Sequence, residues 1–270
     1  MNKRRFFAFG CSYTNWPENP TWADFVGVNY DEYYNFGKPG ACNTYIMQKL
    51  IEMDEIYNFN PDTDFIMIAL TGFGRFTYLR APKDYGWNST YDDEIKWYYS
   101  WETNGDIMFR NDGHPETAKL IRDKIFNFPW AAYNSWISFT IMKNLLKSKN
   151  IEHKIIMAID NEHYINKGYT LGLHHLFDNI GHIVPKIKEL YAKLDSDESI
   201  GVYRNKNMGE GGIYPNDNNG NHPSKQVYYD YLAKYFPELI TDKSLDLLNT
   251  SNEIWKSKIV YKQHGTITPE

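Results

Sequence analysis

Ser12 follows an apolar run and a glycine in FAFGCSYT (Phe7 to Thr14), and His222 precedes a proline in NGNHPS (Asn219 to Ser224), near opposite ends of a 270-residue chain. A hydroxyl on a sharp turn and a neutral imidazole are the two groups that nucleophilic acyl transfer needs, the imidazole taking the hydroxyl proton as the oxygen attacks. An unperturbed imidazole titrates near about 6.5, which suits base work around neutral pH. Between them lies NFGKPGACN (Asn35 to Asn43), whose Gly37 and Gly40 leave backbone amides unshielded. An amide there, together with that of Ser12, could hold an oxyanion. Each piece also has a plain structural reading: Ser12 as a helix cap, GKPG as a strand–helix turn, His222 as a loop histidine. Only the ordered set points to chemistry.

The elements needed to position these residues are strands alternating with helices. Arg5–Gly10 reads as a buried strand ended by glycine, and Tyr33–Phe36 as a second closed by GKPG. Ligands gather at the carboxyl ends of strands in a doubly wound sheet, and Ser12 falls there. Asn43 or Thr44 can cap a helix carrying Ile46, Leu50, Met53 and Ile56 at helical spacing, and Pro61 ends it. The apolar run Asp64–Leu70 has strand length and no alternation, as in a strand covered on both faces. A helix over Pro129–Ser148 should face inward with Trp130, Tyr133, Ile137, Ile141 and Leu145. Lys154–Ile159 reads as a fourth strand, Val184–Leu194 as a helix and Ser199–Tyr203 as a weak final strand. Ser224–Phe236 reads as a helix with Val227, Tyr231, Leu232 and Tyr235 on one side. The pattern predicts an α/β class with a parallel sheet and helices on both faces. Residues 1–240 read as a single domain with an aromatic-rich insertion at about 72–128, expected to hold one or two helices and a long loop, and 241–270 as a C-terminal extension.

Composition removes other classes. The net charge is -5 and lysines are scattered among acids, so no basic stripe is available to neutralise phosphates, and no nucleic-acid partner is expected. No run approaches the length of a membrane span, and the short apolar stretch after Met1 reads as a strand rather than a signal peptide. The expected location is cytoplasmic. Cys11 and Cys42 cannot make a disulfide framework and fit a reducing compartment. Adjacent His174 and His175 diverge on regular structure, and Asp160, Glu162 and His163 lack a metal-ligand spacing, so neither metal nor cofactor is expected. Oligomeric state is not readable. Trp87, Trp97, Tyr98, Tyr99 and Trp101 in the insertion could stack on sugar rings or simply pack a lid.

In order and spacing, over roughly residues 5–236, these blocks resemble the SGNH (GDSL-like) hydrolase superfamily, and in particular a divergent subgroup common in bacteriophage genomes. GCSYT looks like the first block, usually G-D-S. Gly40, five residues after Asn35, falls at the second-block glycine, and His222-Pro223 looks like the last block, usually D-x-x-H-P. ALTGFGRF places Thr71 and Arg75 at the subgroup's W/T-S-x-x-x-R pattern. The resemblance implies a three-layer flavodoxin-like SGNH-hydrolase fold and hydrolysis of a small or carbohydrate-linked ester through an acyl-serine. Ser12 would attack, His222 would act as base and then acid, and the amides of Ser12 and Gly40 would hold the oxyanion. The third-block Asn of the family is missing from Thr71-Gly72-Phe73-Gly74, and one lost oxyanion donor costs about 100- to 1000-fold in rate. Asn43 or Arg75 could compensate. Asn219 stands where the family has its triad acid, and Asp217 could supply the carboxylate instead. His114, in Asn111-Asp112-Gly113-His114-Pro115, is a second histidine before proline, but the family places its base late in the chain. Two other outcomes remain open on these residues: a binding or virion-associated structural module with a decayed triad, or an acyltransferase that passes the acyl group to an acceptor alcohol.

Overall fold

A computed structural model describes residues 3–73, 75–80, 100–106, 128–159, 194–208, 222–261 and 267–269. Its centre is a parallel four-stranded sheet made of β1 (Arg5–Phe9), β2 (Glu32–Asn35), β3 (Asp64–Leu70) and β6 (Glu152–Met157), in the order β2-β1-β3-β6. All seven residues of β3 are buried, as its unbroken apolar run predicts for a strand covered on both faces. The β1–β3 register is pinned at its start. Arg5 and Asp64 are paired across the strands, and the Arg5 guanidinium donates from Nε to Asp64 Oδ1 at 2.8 Å and from Nη2 to Oδ2 at 2.6 Å. From there Phe9 lies opposite Ile68.

Two groups of helices cover this sheet. α2 (Asn43–Tyr57) packs against α3 (Phe128–Ser148), while α1 (Trp22–Gly27), α4 (Ile200–Lys206), α5 (Lys225–Tyr235) and α6 (Asp242–Asn249) pack among themselves. The chain order explains the split. β1 to β2 steps one way along the sheet, whereas β2 to β3 and β3 to β6 step the other way. Right-handed crossovers therefore put α1 on one face and α2 and α3 on the opposite face. The direction reverses between β1 and β3, so the crevice at their carboxyl ends is the expected ligand position.

Three expectations give way to other geometry. Ser199–Tyr203 is not a strand: Ser199 caps α4, its Oγ accepting from the Val202 amide at 3.1 Å. A serine in extended conformation before a seven-residue helix satisfies one of its orphan donors. The inward face of α3 is also not the aromatic one. Ala131, Ala132, Ser135, Ser138, Phe139, Met142 and Leu146 are buried, whereas Trp130, Tyr133 and Ile141 are exposed. Small residues let α3 approach α2 closely, as the Ser138 hydroxyl near Thr44 shows, and that packing outweighs the aromatic stripe. On α2, Ile56 lies 63 % exposed beyond the buried Ile46, Leu50 and Met53. The insertion contributes an antiparallel pair, β4 (Arg75–Arg80) and β5 (Ser100–Asp106), where a helix and loop were expected. The rest of the insertion, the expected helix over 184–194 apart from Leu194, and the loops carrying Asp160, Glu162, His163, His174 and His175 lie outside the described residues. Beyond residue 241, α6, α7 (Asn252–Lys258) and an antiparallel pair, β7 (Ile259–Tyr261) with β8 (Ile267–Pro269), complete the chain. No helix among the described residues is long and apolar enough to cross a membrane.

Candidate active site

The chain leaves β1 through Gly10 into a tight turn in which the Thr14 and Asn15 amides both donate to the Cys11 carbonyl, at 3.0 and 3.2 Å. Only glycine fits at the start. A Cβ on Gly10 would stand 2.0 Å from Thr14 Oγ1 and 3.1 Å from the Ala69 carbonyl of β3. Ser12 sits in this turn and is 5 % exposed.

The turn is fastened to the loop after β2 by buried amides. Asn35, fully buried, donates from Nδ2 to the Thr14 carbonyl and to the Tyr33 hydroxyl, both at 2.8 Å, and its Oδ1 accepts from the Gly37 amide at 2.9 Å. Asn15 Nδ2 donates to the Gly37 carbonyl at 3.0 Å, and the Lys38 amide to the Gly10 carbonyl at 3.0 Å. A Cβ on Gly37 would meet Asn15 and Thr14 at 2.8 Å, so this glycine is required by close approach. Gly40 has φ 76°, a left-handed conformation natural to glycine. It lies on the same connection, just before α2.

Asn43 opens α2 and ties it to the end of β3. Its Nδ2 donates to the Thr71 carbonyl at 2.9 Å and to Ser135 Oγ of α3 at 3.1 Å, and its Oδ1 accepts from the Thr71 amide at 2.8 Å. Both amide protons are therefore spent on protein, and Asn43 holds Thr71 in place. Thr71 is fully buried. Arg75 follows a turn in which its amide reaches the Gly72 carbonyl at 3.4 Å, and among the described residues its Nε and Nη1 are buried without a hydrogen-bond partner. A charged donor in that state is costly unless an acceptor is supplied.

His222 arrives from the far end of the sequence, just before α5, whose N-cap is Ser224. The Trp16 indole lies over its imidazole, with ring centroids 3.6 Å apart and planes within 12°. Tyr13 approaches the same imidazole at 5.6 Å with a 59° tilt, and packs edge-on against Tyr228 of α5 at 6.4 Å. The turn that carries Ser12 and the late histidine therefore meet. Among the described residues, neither the Ser12 hydroxyl nor the amides of Ser12 and Gly40 are committed to a hydrogen bond, so Ser12 is not engaged by His222 in this state. Catalytic pairs often close only around a substrate.

Asp217 and Asn219, the two expected orienters of His222, lie outside the described residues, as does His114. Among the described residues no group of three or more His, Cys, Asp or Glu side chains could hold a metal ion. Sequence reading passed over Trp16, Asn35 and Tyr13. The signal for Asn35 was an amide ending an aromatic strand, EYYN, where a polar side chain must find buried partners. Nothing local marks Trp16, because its partner is remote in sequence. Compared with protein-family models and with curated proteins, the chain matches none.

Proposed function

We propose that this chain is a serine esterase of the SGNH (GDSL-like) type, with the three-layer flavodoxin-like architecture of that superfamily, acting on a small or glycan-linked ester. The observation that carries the reading is the stacking of His222 on the turn that holds Ser12. Ser12 Oγ attacks the ester carbonyl while its proton passes to His222. The negative oxygen forms beside the uncommitted amides of Ser12 and Gly40. Collapse of this intermediate breaks the bond to the alcohol, which leaves with the proton from His222. A water then gives a proton to His222 and attacks the acyl-serine, releasing the acid and restoring the serine. Thr71, held by Asn43, follows β3, the strand next to β1, and Arg75 offers its Nε and Nη1 donors to the substrate.

The uncommitted Ser12 hydroxyl, with no Asn in the third block, favours a second reading: a binding or structural module that keeps the scaffold without turnover. A fluorophosphonate probe separates the two, because it reacts only with an activated serine. Labelling of the folded chain that disappears in Ser12→Ala and His222→Ala but survives in His114→Ala supports the esterase. A folded chain that takes no label is the module. Product analysis with an added acceptor alcohol distinguishes hydrolysis from acyl transfer.

A further inference from the structure

We propose that Trp16 is the positioning residue of His222, its indole face fixing the plane of the imidazole and stabilising the imidazolium that forms when Ser12 gives up its proton. This rests on the reading of Ser12 and His222 as nucleophile and base. In a serine–histidine–aspartate triad a carboxylate does both tasks through one ring nitrogen. Here the position three residues before the histidine is Asn219, an amide with no charge to offer, with Asp217 two residues earlier, and the indole acts on the ring face alongside whatever the in-plane nitrogens bond.

The geometry suits the task. Planes within 12° at 3.6 Å leave the imidazole little freedom to tilt. A face-on stack consumes neither ring nitrogen, because both N–H directions lie in the ring plane. One can point to the serine while the other bonds elsewhere. The electron-rich indole face attracts a cation above it, and tryptophan does so best among the aromatic side chains. A neutral imidazole gains less, so the contact strengthens as the proton arrives, which is the requirement for catalysis.

Trp16 is itself held. It follows Asn15, whose amide and side chain are bonded to Cys11 and Gly37 at 3.2 and 3.0 Å. Among the described residues its Nε1 is buried with no hydrogen-bond partner, so packing against its faces places the indole. Tyr13, an uncharged ring, approaches the imidazole at 5.6 Å and limits its drift. Platform and nucleophile thus come from one short segment, residues 12–16.

The test uses the full chain with Trp16→Leu, Trp16→Phe and Trp16→Tyr, and His222→Ala to assign the imidazole resonances. NMR of the resting protein should show the His222 ring protons shifted upfield by the indole. In Trp16→Leu that shift disappears, the imidazole titrates at lower pH, and fluorophosphonate labelling slows about tenfold, as expected from losing a cation–π contact. Trp16→Phe and Trp16→Tyr restore most of the labelling rate. Ring protons without an upfield shift overturn the proposal, as does a Trp16→Leu protein that titrates and labels like wild type. Should Trp16→Leu fail to fold, the aromatic variants decide: a single ring in place of the indole should reduce the upfield shift of the His222 ring protons, and a shift unchanged from wild type in both overturns the platform. A chain that takes no label, yet whose His222 titration follows residue 16, keeps the platform and removes the esterase.

Discussion

Asp24 is a fully buried carboxylate on α1, and burial, its largest influence, pushes its pKa up from 3.8 to about 6 against the bonds it accepts from Thr21 and Tyr33. The Thr21 hydroxyl stands 2.7 Å from the Thr14 carbonyl and 2.9 Å from Asp24 Oδ2, with one proton for two acceptors, so a protonated Asp24 relieves the shortage. Because the folded pKa is the higher one, the stability this group contributes is complete below about pH 4 and is lost as pH rises through about 6. The difference corresponds to about 3 kcal/mol. Denaturant titrations should therefore show a decline across that window in wild type and none in Asp24→Asn; parallel profiles would contradict this. Tyr228 presents the opposite case, a buried hydroxyl without a hydrogen-bond partner, whose pKa burial holds well above the ordinary tyrosine value. Removing an unsatisfied hydroxyl while keeping the ring should help the fold, so Tyr228→Phe is expected to gain about 1 kcal/mol in urea unfolding. A loss would mean that the hydroxyl has a bound partner.

The turn after β1, the loop after β2 and the start of α2 behave as one fastened unit. Adding a methyl at Gly10 drives a carbon to 2.0 Å from Thr14 Oγ1, with the Ala69 carbonyl blocking retreat at 3.1 Å. Gly10→Ala should cost about 1–3 kcal/mol by overpacking, read in thermal unfolding, and should slow labelling of Ser12 more than stability alone explains. Asn43→Ala removes the acceptor of the Thr71 amide and a donor to its carbonyl and is expected to cost about 2–3 kcal/mol. If either variant unfolds like wild type, the fastening is not what holds the turn. Much of this unit was legible in sequence: glycines after strands and an unbroken apolar run in β3. Those signals are local. Pro61 does not end α2, which stops at Tyr57 on a left-handed Asn58 cap. The face of α3 was misread because large aromatics at helical spacing suggest burial, whereas close helix packing selected Ala131, Ala132, Ser135 and Ser138. Ser199 was read into a strand because its capping bond to Val202 has no hydrophobic signature. The meeting of Trp16 with His222 depends on where two distant segments end in space, and no periodicity encodes that.

Across the molecule, the segment after residue 241 is joined to the α1 layer. Fully buried Ser244 donates to the Phe25 carbonyl at 2.8 Å, and Asn29 Nδ2 reaches both Ser244 Oγ at 3.2 Å and the Leu239 carbonyl at 3.0 Å. Ser244→Ala should destabilise the whole chain by about 1–2 kcal/mol in a single cooperative transition. A separate early transition for the C-terminal segment would show that it unfolds on its own. The Arg5–Asp64 pair works over a longer span. It sits at the opposite end of the strands from Ser12, yet it acts as the zero mark of a ruler laid along β1 and β3. Sliding one strand by a single residue would move each of its side chains to the opposite face of the sheet. Phe9 would lose its place opposite Ile68, and the turn after β1 would shift against the segment that follows β3. An ion pair far from any chemistry thus decides whether the two lips of the crevice line up.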